Sequence, residues 1–227
     1  MSRSCKAGLL TVVIGAVLAA AACSPSDGGP RIPRASSPDA AAEPPIKATQ
    51  TTVVQSVATA PGDLHDLDWT RVPLPGDFCG VPGLVRFKGD DATATSDKWG
   101  PVHLYRNIRS RPVIYGDVTG DHRSEAAVGV ECDNGGGTAS GQLAFAFVVF
   151  QGIQGRLTVI GTVTPQKNPP NQHPTLLWEL RLTRGRVIAN EMWYRPSDST
   201  CCPTGTAVTI WTLRDGHLIP GAPHITS

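Results

Sequence analysis

The sequence carries little charge and almost no imbalance of it. Charged residues make up 17% of the chain and the formal net charge is +1, so there is no global positive field to gather nucleic acid. The densest basic patch, Arg106, Arg109 and Arg111 with Lys98 and His103 nearby, reads as a solvated loop. Long hydrophobic runs are scarce. Beyond residue 22 no stretch approaches the roughly 20 apolar residues of a membrane-spanning helix. Within residues 63–227 no window of a dozen residues shows convincing helical periodicity. No longer period recurs, which argues against a propeller built from repeats. Catalytic signatures are absent as well: there is no Gly-x-Ser-x-Gly elbow, Ser-x-x-Lys or His-Glu-x-x-His. The six histidines are scattered, with none paired at i, i+4, and no Cys-x-x-Cys suggests zinc.

What is present begins at the N-terminus. Arg3 and Lys6 are followed by an apolar run over residues 7–18, then four alanines and Cys23. A charged start, a short apolar core and small residues before a cut are the layout of a secretory signal over residues 1–22. The Ala20-Ala21-Ala22-Cys23 end resembles the bacterial lipobox, departing from it where leucine is usual and Ala20 stands. The resemblance implies a lipid-modified Cys23, hence a membrane-anchored chain on the extracytoplasmic face, and acyl chains hold such a protein without a spanning helix. Residues 23–62 are rich in Ser, Pro, Ala, Gly and Thr and poor in large apolar side chains. That composition predicts a disordered tether. Residues 63–227 are then a single extracytoplasmic domain, long enough to bury a core.

Four cysteines fall in that domain: Cys79, Cys132, Cys201 and Cys202. Outside the cytoplasm an even number suggests two disulfides. Neighbouring Cα atoms are about 3.8 Å apart, below the usual disulfide range, which disfavours a bond between Cys201 and Cys202. Each is therefore expected to reach one of Cys79 and Cys132, closing loops that stabilise by ~4 kcal/mol apiece. The sharper alternative is a zinc site, against which stands the lack of a Cys-x-x-Cys and of a histidine at ligand spacing from the cysteines; a redox role for the adjacent pair is a further one.

The domain reads as β. Strand-like runs fall at residues 84–87, 102–105, 113–115, 126–130, 142–150, 157–163, 176–182, 187–194 and 206–213. The run at 142–150 is apolar at nearly every position, as a strand buried on both faces would be. Asp215-Gly216 predicts a hairpin into Leu218-Ile219. With 20 prolines and 24 glycines to turn the chain, the expected fold is mainly β, a disulfide-stapled antiparallel meander that forms a curled sheet or a small barrel.

One motif carries the residue types of an ion site. Residues 116–125 read Gly-Asp-Val-Thr-Gly-Asp-His-Arg-Ser-Glu, placing oxygens at Asp117, Thr119, Asp121 and Glu125, with the Arg123 carbonyl as a fifth donor. Alternate oxygen ligands closed by a carboxylate suit a hard cation such as calcium. The stretch resembles the calcium loop of FG-GAP repeats, with Thr119, His122 and Glu125 departing from that pattern. The other reading is a polar turn whose aspartates bond backbone N–H groups. The order of lipobox, tether, Cys79-Gly80, the 117–125 loop, a Gly-rich loop after Cys132 and Cys201-Cys202-Pro203 resembles a family of uncharacterised actinobacterial secreted lipoproteins. That resemblance implies no activity.

The Gly-rich stretch 133–141 lacks the Gly-Lys-Ser/Thr end of a phosphate loop and leads into a strand rather than a helix. Trp178, Trp193, Trp211 and Tyr194 either line a sugar or peptide groove or pack in the core. The sequence therefore favours a non-catalytic binding or envelope-associated module with a protein or glycan partner. Two alternatives stand beside it. One is a cell-envelope hydrolase using the only local carboxylate cluster, Asp121, Glu125, Glu131 and Asp133; the other is a weak calcium-binding, adhesin-like domain.

Overall fold

A computed structural model of the chain describes residues 56–106, 112–135, 141–169 and 173–227. The predicted signal, Cys23 and most of the tether lie outside the described residues, as do Arg109 and Arg111. The fold is mainly β and antiparallel, as expected, and its main sheet is a curled half-barrel rather than a closed barrel.

In chain order the strands are β1 (Ser56–Thr59), β2 (Leu74–Pro75), β3 (Leu84–Val85), β4 (Asp91–Ser96), β5 (Gly100–Tyr105), β6 (Ile114–Gly116) and β7 (Glu125–Asp133). They continue with β8 (Gln142–Ile153), β9 (Arg156–Val163), β10 (Leu176–Thr183), β11 (Arg186–Trp193), β12 (Gly205–Arg214), β13 (His217–Pro220) and β14 (His224–Ile225). Among the described residues, helix is confined to three single 3-10 turns at Leu64–Asp66, Trp69–Arg71 and Asp77–Cys79. The large sheet runs β1-β9-β8-β7-β5-β4, with β6 also paired to β7. A second sheet runs β10-β11-β12-β13, with β14 on β12, and β2 and β3 form a small separate ribbon.

Strand β8 explains why its sequence is apolar throughout. Phe145, Phe147 and Val149 point to one face and join Leu180, Val187, Ala189, Trp211 and Leu218 of the second sheet in one core. Ala146, Val148 and Phe150 point to the other face and pack under Leu64, Trp69, Val72 and Leu74 of the N-terminal segment. The large sheet is thus covered on both sides, which removes the need for a polar face along β8. The hairpin turns follow the expected chemistry. Asp215 (φ 49°) and Gly216 (φ 78°) turn β12 into β13, and Gln154 (φ 49°) and Gly155 (φ 73°) turn β8 into β9.

Two boundaries differ from expectation. The ordered domain starts before residue 63, because β1 pairs with β9 through Ser56↔Thr158 and Thr59↔Arg156. Val57 and Ala58 supply apolar groups to the core there, inside a stretch whose composition otherwise reads as tether. Strand β4 was not expected, since Asp-Ala-Thr-Ala-Thr-Ser has only small side chains. Its partner β5 supplies the bulk, with Val102 and Leu104 buried.

The disulfide pairing is corrected. Cys79 bonds Cys132, with Cα atoms 6.1 Å apart, and Cys201 bonds its neighbour Cys202. Cys79 ends the third 3-10 turn and Cys132 lies near the end of β7, so both sit in one small buried core with Val81, Val85, Val102 and Leu104. Cys201 and Cys202 are exposed in the β11–β12 loop and belong to no core cluster. Disfavouring a bond on Cα spacing alone overlooked that, with Cys79 bonded to Cys132, no other thiol among the described residues is left for Cys201 and Cys202.

The expected basic loop is also corrected at Arg106, which is buried. Its guanidinium donates to the carbonyls of Val72 (2.8 Å), Gly89 (2.9 Å) and Thr70, and it lies 4.6 Å over the Phe87 ring. Asp90 stands 3.8 Å from its Nε. The side chain ties three loops together and is not offered to a partner.

Candidate functional site

The 117–125 loop lies between β6 and β7, as the FG-GAP resemblance implied, and Gly116 pairs with Glu125 at its neck. Its carboxylates accept N–H groups of the loop itself. The Asp117 carboxylate accepts the N–H groups of Gly120 (2.5 Å) and His122 (3.1 Å). Asp121 accepts the Arg123 N–H at 2.9 Å. Glu125 accepts Val118 N–H (2.6 Å) and Thr119 N–H (2.9 Å) through one oxygen and the Thr119 hydroxyl (3.2 Å) through the other.

The Arg123 side chain turns away and donates to the Gly62 carbonyl at 2.8 Å. Arg184 closes over the top, so that a Cβ on Gly120 would meet its Nε at 2.7 Å. Among the described residues no three His, Cys, Asp or Glu side chains form a ligand set. In this structure the loop's carboxylates accept its own N–H groups, with the Arg184 guanidinium over Gly120. Asp117, Thr119, Asp121, Arg123 and Glu125 together form a self-closed turn. Burial pushes the Glu125 carboxyl above its ordinary pKa, the bonds from Thr119 and Val118 pull it back, and the charge of Asp121 adds to the rise.

The recess beside this loop, lined by Gly62, Asp63, His122, Arg123 and Gly152, holds about 200 Å³. That is below the usual 300–1,000 Å³ of a ligand pocket.

The four carboxylates considered for hydrolysis are split between the two ends of β7. At about 3.3 Å per residue, Glu125 and Glu131 stand roughly 20 Å apart, so the four do not gather in one place. Asp133 instead faces His103 on β5, 3.7 Å from Nδ1, while Asp91 on β4 is 3.3 Å from Nε2. This Asp-His-Asp bridge ties three strands across their register. Nothing local in the sequence announces it, because the three residues meet only through strand pairing.

The aromatic residues separate by role. Trp211 and Tyr194 are buried, and Tyr194 donates to the Thr200 carbonyl at 3.0 Å. Trp193 lies against Gly205, where a Cβ would come within 2.3 Å of its ring. Lys167 and Arg195 flank that ring at 4.8 and 5.7 Å. Trp178 differs from all of these, being 54% exposed.

A β-bulge sets the position of Trp178. Leu177 pairs with Glu191 and Glu179 with Asn190, so Trp178 is an extra residue with no partner on β11. Leu177 and Leu180 are buried. The extra residue therefore turns two consecutive side chains, Trp178 and Glu179, to the outer face where a regular strand would show one. Asn190 donates to Glu179 at 2.9 Å, and Arg181 stands 3.7 Å from the same carboxylate. Across the sheet the outer face continues through Ile188 and the exposed Ile210. The result is an exposed indole beside a carboxylate, an amide and a guanidinium, all on rigid strands. Of these, Trp178 was legible in the sequence. Glu179, Asn190 and Arg181 were not, because the bulge is a property of the pairing.

No protein-family model, curated protein or solved structure matches the chain.

Proposed function

We propose that this protein is a lipid-anchored, extracytoplasmic binding module that holds a cell-envelope glycan at the Trp178 bulge. The observation that carries the reading is the exposed Trp178 ring placed next to the Glu179–Asn190–Arg181 set. A sugar ring has one apolar face and a rim of hydroxyls. An indole offers the matching flat surface, and a carboxylate–amide–guanidinium group offers acceptors and donors for the rim. The bulge fixes both on one face without a flexible loop, which keeps the ordering cost of binding low. The anchor and tether are the expectation from Cys23 and the composition of residues 24–62, and they would place this face in the envelope, where such polymers lie.

The test is co-sedimentation of the full chain with purified peptidoglycan and with cell-wall polysaccharide, alongside quenching of tryptophan fluorescence. Trp178→Ala is expected to weaken binding about tenfold or more, corresponding to ~1.4 kcal/mol for one stacked ring. Trp178→Phe should retain part of it. Equal binding by wild type and Trp178→Ala, or no binding to either polymer, rejects the reading.

A further inference from the structure

We infer that Cys201–Cys202 is a thiol-exchange site, open to an external dithiol and able to switch between disulfide and dithiol without disturbing the fold. The two disulfides among the described residues differ in access and in chain separation. Cys79 and Cys132 are fully buried, whereas Cys201 and Cys202 are both exposed. Attack by a thiolate needs access to a sulfur, and only the second pair provides it.

The chain geometry also differs. Cys79–Cys132 spans a sequence separation of 53, and Cys201–Cys202 a separation of 1. A bond between neighbours closes no loop of the unfolded chain, so breaking it gives back almost no loop entropy. The β11–β12 loop is moreover held by bonds that do not involve sulfur. The Asp198 carboxylate accepts Arg195 N–H (2.7 Å), Thr204 N–H (2.8 Å) and the Thr204 hydroxyl (2.8 Å). Tyr194 ties down Thr200 from beneath, and Cys202 N–H donates to the Ser199 carbonyl at 3.0 Å. The tip can open while its neck stays closed.

One contact gives the exchange a direction. Ser199 Oγ lies 3.2 Å from Cys201 Sγ. A hydroxyl there can donate to a thiolate as it forms, which favours Cys201 as the leaving group. The incoming thiolate then attacks Cys202 Sγ. The Cys201–Cys202 bond breaks, a mixed disulfide forms on Cys202, and Cys201 leaves as a thiolate. The second thiolate of the external dithiol attacks its own sulfur in that mixed disulfide and releases Cys202. The external dithiol ends as a disulfide, two electrons pass to the chain, and Cys201 and Cys202 each take up a proton.

The experiment is graded reduction of the folded full chain with dithiothreitol, followed by alkylation and peptide mass mapping. Cys201 and Cys202 should be alkylated at reductant levels that leave Cys79–Cys132 intact, with an unchanged melting temperature. Ser199→Ala should slow that reduction about tenfold at the same melting temperature, and Ser199→Thr should restore it. A Cys201→Ser/Cys202→Ser chain should fold alike and show no labile pair. The proposal fails if the two disulfides are reduced together, if Cys201 and Cys202 react only after unfolding, or if both are alkylated without reductant. An unchanged rate in Ser199→Ala overturns the assignment of Cys201 as the leaving group.

Discussion

Glu125 is a carboxylate held away from water with three donors aimed at it. Burial wins over those bonds and raises its pKa. The folded state therefore holds a proton more tightly than the unfolded chain. The contribution to stability is complete at low pH and is lost as pH rises through the raised value. Glutamine can accept both N–H groups through its carbonyl and donate to the Thr119 hydroxyl through its amide. Glu125→Gln should therefore match the wild type near pH 4 and become progressively the more stable chain toward about pH 7. Urea melts at several pH values would show it, and parallel curves would refute it. Asp198 has the opposite sign. Its bonds from Arg195 and Thr204 lower its pKa, so its contribution is lost only on acidification. His122 carries a further residue-scale lesson. It stands where the FG-GAP pattern has glycine, and it adopts φ 68°, the left-handed conformation that glycine takes without penalty.

At the scale of elements, the strands with alternating or fully apolar runs were legible. Strands β7 to β12 fall within a few residues of their expected places, because each side chain must choose a buried or exposed face. What was not legible depends on a partner. Strand β4 borrows its hydrophobic layer from β5, and β1 hides in a tether-like stretch because a few apolar groups suffice against a finished core. Partnership also governs the β10 bulge. Deleting Trp178 should leave Leu177 facing Glu191 and Glu179 facing Asn190, giving a regular β10 that still folds. The deleted chain should keep its circular dichroism spectrum and lose glycan binding as fully as Trp178→Ala. If the deletion unfolds the second sheet instead, the extra residue is a structural requirement.

For the molecule as a whole, the cysteine count indicated two staples, but the pairing expected from Cα spacing joined the wrong sulfurs. Cys79 meets Cys132 through the assembled sheet, whereas Cys201 and Cys202 are neighbours in one loop. The consequence is an unequal division of labour. Replacing Cys79 and Cys132 with serine removes a crosslink over 53 residues that constrains the unfolded chain by about 4 kcal/mol. In a domain of this size that corresponds to a fall in melting temperature of roughly 10 °C, measurable by calorimetry. A shift of only a degree or two would show that the buried cluster around Val81, Val102 and Leu104 holds that corner without it.

Strand β1 gives the molecule a mechanical character. Among the described residues it is the first strand and lies at the edge of the large sheet, bonded on one side only, to β9. In the anchored molecule proposed above, tension in the tether enters the domain through Ser56. The four residues of β1 are then the first to carry load, and their peeling from β9 would pay out roughly 13 Å of chain while β7, β8 and the second sheet stay paired. Under that proposal the arrangement would act as a fuse, yielding at one edge so that the Trp178 face rides through the strain intact.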